Sequence, residues 1–430
     1  MTEVTQPRMA RGTKLPLAVL AAALFALLAF APLASATPDP VEKGTTTVTL
    51  NKGWTKYLKT FGIKIQKVGN AKVKGTKVTF KVTGGEMDPT NGLGTLTLGG
   101  GIKFKAGKKS ATVKGLVLNT GKSVLTGKVS GKKVKLAKLK GLSYTRNGFG
   151  VNVKLKSMKL EKAGAKQLNK KLGYAKGKPK PFLAGKNIGK ASAESQPATV
   201  AIIPGGNVSF KADQELLLKL KDVETNASVI APTTEKGLGN YELPITGGTI
   251  SPTATAGQVQ TAGGLLLTQK LDKGDGSFLE TEITLGNMWL DLSARTVTVE
   301  VVAKSNASES LNLGNLGRSS IADLTVTGVT TDAAARTVGV SSSAVLQPIS
   351  AEVLEGFVKV YQAYYEAGFY AQFCALAAPK NCNSPDPTEK AAEEAAGKAA
   401  AKEAAEKKVE KDHITTGNPL GTFSFTAQAQ

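Results

Sequence analysis

Two stretches of this 430-residue chain repeat one turn-rich pattern at matching spacing, so a fold that accounts for one must account for the other. Lys81-Val-Thr-Gly-Gly-Glu-Met-Asp-Pro-Thr90 aligns with Pro244-Ile-Thr-Gly-Gly-Thr-Ile-Ser-Pro-Thr253, sharing Thr-Gly-Gly and Pro-Thr. A Gly-containing strand pattern follows each, Gly94 to Phe104 and Gly257 to Leu267, which predicts one hairpin in both copies. The copies also close alike. Gly185-Lys-Asn-Ile-Gly189 and Gly417-Asn-Pro-Leu-Gly421 each read as a turn feeding a last strand, which predicts domains over 41–197 and 198–430.

Short alternating runs such as Val78-Thr-Phe-Lys-Val82 and Thr296-Val-Thr-Val-Glu-Val-Val302, punctuated by Gly, Asn and Asp, fill 45–160 and 198–346. The fold class expected is mostly β, with two tandem antiparallel β-sandwich-like domains. The second copy carries an insertion over 351–412 that reads as a helical hairpin. Its first helix bears Phe357, Tyr361, Tyr364, Tyr365, Phe369, Tyr370 and Phe373 at three- and four-residue spacings. That spacing reads as one buried helix face, with a ligand-stacking surface as the alternative. The second helix, rich in Ala, Glu and Lys, reads as a solvated arm.

Residues 1–36 have the pattern of a secretory signal: Arg8, Arg11 and Lys14, an apolar run from Leu15 to Ala31, then Ala34-Ser-Ala36. An uncleaved anchor is the alternative reading. No later stretch approaches 18 apolar residues, so a secreted or wall-associated protein without a transmembrane span in the mature chain is expected. Outside the cytoplasm the chain's two cysteines, Cys374 and Cys382, read as a local disulfide, with free buried thiols as the alternative.

Charge is uneven. Residues 41–195 hold 34 Lys and one Arg against five acidic residues, whereas 196–430 are net acidic. A cationic domain of this kind attracts polyanions such as anionic cell-wall polymers. It is poorly equipped for sequence-specific nucleic acid reading, because Arg146 is its one guanidinium and bidentate base contacts favour Arg. Catalysis is not expected: the single histidine, His413, lies at the end of a solvated helix, no phosphate loop is present, and nothing pairs the scattered acids.

The run Phe80 to Phe104, with its Asp88-Pro-Thr-Asn-Gly92 turn and Gly-Gly-Gly-Ile-Lys-Phe strand, resembles the actinobacterial Htaa domain, a haem-uptake family. Val48 to Tyr57 and Tyr144 to Leu172 extend the resemblance, and the second copy shares it more weakly. The resemblance implies an extracytoplasmic β domain that binds haem through a tyrosine near its start. Tyr57, three residues after Trp54, stands where that tyrosine is expected, and these two residues form the implied haem site, with Tyr57 as iron ligand. A structural tyrosine on a short helix is the other reading. Where the family has a supporting histidine this chain reads Phe104-Lys-Ala-Gly-Lys-Lys109, and the second copy has no matching tyrosine. The expectation is therefore a non-enzymatic surface or secreted protein that captures haem in its first domain. The alternative is a wall-associated structural or adhesive protein that holds anionic polymers, while its second domain and arm meet a surface protein partner.

Overall fold

The computed structural model describes residues 38–174, 179–376, 382 and 384–430. The expected signal segment lies outside the described residues. In the first half the strands are β1 Asp39–Leu50, β2 Ile63–Val68, β3 Lys72–Lys74, β4 Lys77–Met87, β5 Gly94–Ala106, β6 Lys109–Asn119, β7 Val124–Val129, β8 Lys132–Asn147, β9 Gly150–Leu160 and β10 Asn187–Pro197. In the second they are β11 Val200–Ala201, β12 Asn207–Ala212, β13 Thr225–Ile230, β14 Thr234–Gly237, β15 Asn240–Ile250, β16 Gly257–Thr261, β17 Gly264–Asp272, β18 Phe278–Asp291, β19 Thr296–Ser305, β20 Gly314–Asp332, β21 Thr337–Leu346 and β22 Pro419–Gln428.

Each half is one antiparallel sheet rolled until it meets itself. β1 pairs with β4 on one edge and β10 on the other, β4 also pairs with β5, and β5 through β10 follow in order, which closes a ring of eight strands. The second ring runs β12, β15, β16, β18, β19, β20, β21 and β22 back to β12. The mostly β, two-copy reading is thus observed, with the two faces of each expected sandwich supplied by one closed sheet. Closure removes the edge strands that an open sheet would leave unpaired.

The repeated motif builds the same hairpin twice. Its second glycine, Gly85 or Gly248, sits at positive φ with no room for a side chain: a Cβ there would lie 1.9 Å from the Thr95 carbonyl oxygen or 2.0 Å from that of Gln258. Asp88 then accepts from the Thr90 N–H and the Asn91 side chain, both at 2.7 Å. In the second copy the Ser251 hydroxyl oxygen does the same work, accepting from the N–H groups of Thr255 and Ala256. The turn is also held from across the ring: Tyr144 donates to the Thr90 carbonyl and Arg146 to that of Pro89, as Thr331 does to that of Pro252. The Asp-Pro-Thr signature is therefore a scaffold element.

Helices stand at equivalent places. α1 (Lys52–Thr60) follows β1 and α2 (Lys162–Lys171) follows β9; α3 (Gln214–Asp222) follows β12, and α4 (Pro348–Leu376) with α5 (Pro387–Val409) lies between β21 and β22. The helical hairpin is thus an enlargement of an element the first copy also has, where the sequence read it as absent. Ala351, Leu354, Phe357, Val358 and Tyr361 bury the first half of α4 in the second core, and the later aromatics are only half-buried. α5 is less solvated than its composition indicates. Gly397, Ala401, Ala405 and Val409 are buried along one face, and a Cβ on Gly397 would lie 2.8 Å from the Phe373 ring of α4. Cys374 and Cys382 form a disulfide between the two helices.

The rings dock through the β8–β9 turn. Phe149 at its tip is 5% exposed and belongs to the core of the second ring. Close by, the Ala198 N–H donates to the Pro40 carbonyl, and buried Asp39 accepts from the Ala201 N–H at 3.4 Å. Burial pushes the Asp39 carboxyl up to about 6, against a smaller opposing pull from the Ala201 N–H and from Arg336 and Arg146.

Candidate functional site

α1 exists because Asn51 caps it, accepting from the Trp54 N–H at 3.0 Å, and because Trp54 and Leu58, four residues apart, seat one face on the first ring. It stops at Phe61, where Gly62 takes φ +65°. The two residues implied as a haem pair therefore point to different surroundings. Trp54 is 8% exposed and packs edge-on against Phe104 and Phe182, each with ring centroids 6.2 Å away. Tyr57 is 38% exposed, on the solvent side of the helix.

The Tyr57 phenol donates to the Lys180 carbonyl at 3.3 Å, and its ring meets Phe61 edge-on at 5.2 Å. Phe61 in turn meets Tyr174, whose hydroxyl donates to the Phe61 carbonyl at 3.2 Å. Beside this cluster lies a cleft of about 310 Å³ between α1 and the segment leading into β10, lined by Gly53, Trp54, Tyr57, Pro181, Leu183 and Lys186. Exposed Lys186 lines it, Lys180 is exposed beside Tyr57, and Lys56 and Lys59 are exposed on the same helix. The β5–β6 turn, where the family histidine is expected, holds Gly107 and Lys108, and the Lys109 ammonium lies against Gly173, next to Tyr174. What the arrangement offers is one solvent-reachable phenol oxygen in a cationic setting. Among the described residues no group of three or more His, Cys, Asp or Glu is placed to hold a metal ion.

In the second copy the helix cap is Asp213, and Lys219 occupies the place of Tyr57. Its ammonium donates to the His413 carbonyl and pairs with Glu215 at 3.1 Å. His413 itself is held by Glu355, Nδ1 to Oε1 at 2.7 Å, where α5 returns to the ring. Sequence reasoning missed this contact, because it joins positions far apart in the chain.

Fold and site together define a tandem pair of closed antiparallel β barrels with a surface tyrosine on the first helix of one barrel. No family model and no curated protein matches the sequence. Among solved structures the chain is similar to the N-terminal domain of HtaA from Corynebacterium glutamicum, at 10% identity and TM-score 0.31, over 53% of this chain and 99% of that one. It is similar also to the C-terminal domain of the same protein, at 12% identity and TM-score 0.30, over 36% of this chain and 98% of that one. No helix among the described residues is long and apolar enough to cross a membrane.

Proposed function

We propose that the chain is an exported, non-enzymatic surface or secreted protein that captures ferric haem in its first domain, with Tyr57 as the iron ligand. The observation that carries this reading is the placement of the Tyr57 phenol: half exposed, donating among the described residues to one backbone carbonyl, at the lip of a cleft that Trp54, Pro181 and Leu183 make partly apolar. A phenolate suits ferric iron, and the surrounding lysines suit carboxylates at the porphyrin edge. The residues fit a ligand held from one side. Haem bound here would bring its own iron chemistry, while the protein would supply the axial oxygen, the apolar wall and the positive rim. The Cys374–Cys382 disulfide supports an oxidising, extracytoplasmic setting.

Haemin titrated into the intact mature protein and its Tyr57→Phe variant tests this. Expected is a saturable absorbance band of tyrosinate-bound ferric haem that needs Tyr57 and persists at high salt. No band, or equal bands in both proteins, sinks the reading. A second reading, capture of anionic polymers, is favoured by the lysines of β8, where Lys132, Lys133, Lys135, Lys138 and Lys140 are all exposed. Binding of that kind falls steeply with salt, about ten-fold or more across a few-fold rise in concentration.

A further inference from the structure

The first barrel encloses an apolar cavity of about 60 Å³, lined by residues that include Thr46, Val48, Trp54, Val78, Phe80 and Leu98. Two of these carry polar atoms with no partner. The Thr46 hydroxyl and the Trp54 indole N–H are both buried and unbonded, on residues 0% and 8% exposed. Leaving a buried polar group without a partner forfeits its bond to water with nothing in return, so two against one cavity need an explanation.

The second barrel is the internal control. Aligned from the helix caps Asn51 and Asp213, Thr46 corresponds to Val208 and Trp54 to Leu216, so both orphan polar groups are replaced by hydrocarbon. The space differs as well. Val48 pairs with Val78 and Ala191 on the neighbouring strands, whereas its equivalent Phe210 pairs with Tyr241 and Phe423. Those three rings stack, Phe210 on Phe423 at 4.6 Å and on Tyr241 at 5.9 Å. At this level the second barrel is filled by three stacked rings, where the first has Val48, Val78 and Ala191 beside a void and two unused hydrogen-bonding groups. Eight-stranded barrels are of the size that either fills with side chains or holds one small ligand.

We propose that the first barrel is a binding chamber for a short, uncharged aliphatic molecule carrying one hydrogen-bonding oxygen, with Trp54 and Thr46 as its polar partners. No charged side chain lines the cavity, which excludes an ion. The indole N–H requires an acceptor, and the Thr46 hydroxyl can give or take a second bond. At roughly 10–15 Å³ for each water-sized sphere, the volume fits a chain of about four to six non-hydrogen atoms. Trp54 also lines the outer cleft, so its ring is the partition between chamber and solvent.

The test is a titration of the intact mature chain with 1-butanol, read at the indole N–H resonance of Trp54 by nuclear magnetic resonance, with Trp289→Phe to assign the two indoles. A saturable shift confined to Trp54 is expected. Thr46→Val, which keeps shape and removes the hydroxyl, should weaken binding about five-fold. Val48→Phe, which copies the second barrel, should abolish it; if that variant fails to fold, Val78→Leu serves as a milder filling. An absent or non-saturating Trp54 shift overturns the proposal. So does undiminished binding in a folded filled variant, or a long-lived water signal at Trp54 that saturating 1-butanol does not displace.

Discussion

Gly148 of the first barrel lies against Ala333 of the second, so closely that a Cβ on Gly148 would stand 3.1 Å from the Ala333 Cβ. Phe149, the next residue, enters the second core. The two barrels are thus joined by a side chain that belongs to one by sequence and to the other by packing. Phe149→Ala removes it and leaves a void, at an expected cost of about 3–4 kcal/mol. Denaturant unfolding followed by separate probes should show one shared transition in the parent and two separated ones in the variant.

Asp39 predicts how stability depends on pH. Its carboxyl is raised to about 6 from an ordinary 3.8, so between those values the folded chain holds a proton that the unfolded chain has released. Stability from this group is therefore greatest at low pH and falls as pH rises towards 6. Asp39→Asn keeps the shape and removes the titration; it should flatten the decline between pH 4 and 7 and stabilise the protein at pH 7.5 by about 2 kcal/mol. Urea midpoints measured across that range check the prediction.

Reducing the disulfide should loosen the helical hairpin and leave both rings intact. The loop between Cys374 and Cys382 is short, and closing one of that length is worth about 2.5 kcal/mol. Cys374→Ser with Cys382→Ser should accelerate amide exchange in α5 and at the end of α4, with β12 and β22 unchanged.

The paired glycines predict a contrast within one motif. Gly84 has nothing within 4 Å of a built Cβ, whereas Gly85 faces the Thr95 carbonyl. Both have positive φ, so Gly84→Ala should cost about 1–2 kcal/mol and Gly85→Ala several more, enough to leave the first barrel unfolded at ambient temperature. Circular dichroism melts of the two variants separate strain from collision.

The repeat was legible in sequence because its turns demand particular residues: a glycine where the partner strand's carbonyl leaves no room, and a short polar side chain to collect loose N–H groups. Ring closure was not legible. Inward and outward alternation is the same in a sandwich and a barrel, and closure rests on β1 pairing with both β4 and β10, the second of which joins opposite ends of the first copy. Tyr57 was readable from its spacing to Trp54, but the side of the helix each residue faces is set by packing, which puts Trp54 in the core. The contact face of α5 escaped because Gly397, Ala401 and Ala405 carry almost no hydrophobic signal and bind by closeness of approach.

In both rings the last strand pairs with the first: β10 with β1 and β22 with β12. Neither barrel can shut until its own final segment exists. For the second barrel that segment comes after both helices of the hairpin, so Val208 and Phe210 wait through the whole helical excursion for Phe425 and Phe423 to arrive. A chain emerging from its N-terminus, whether from a ribosome or through a membrane, exposes the open trough of the second ring during that interval. Losing the strand Pro419–Gln428 would leave β12 and β21 as bare edges on either side of a slot, the kind of template that recruits a strand from another molecule.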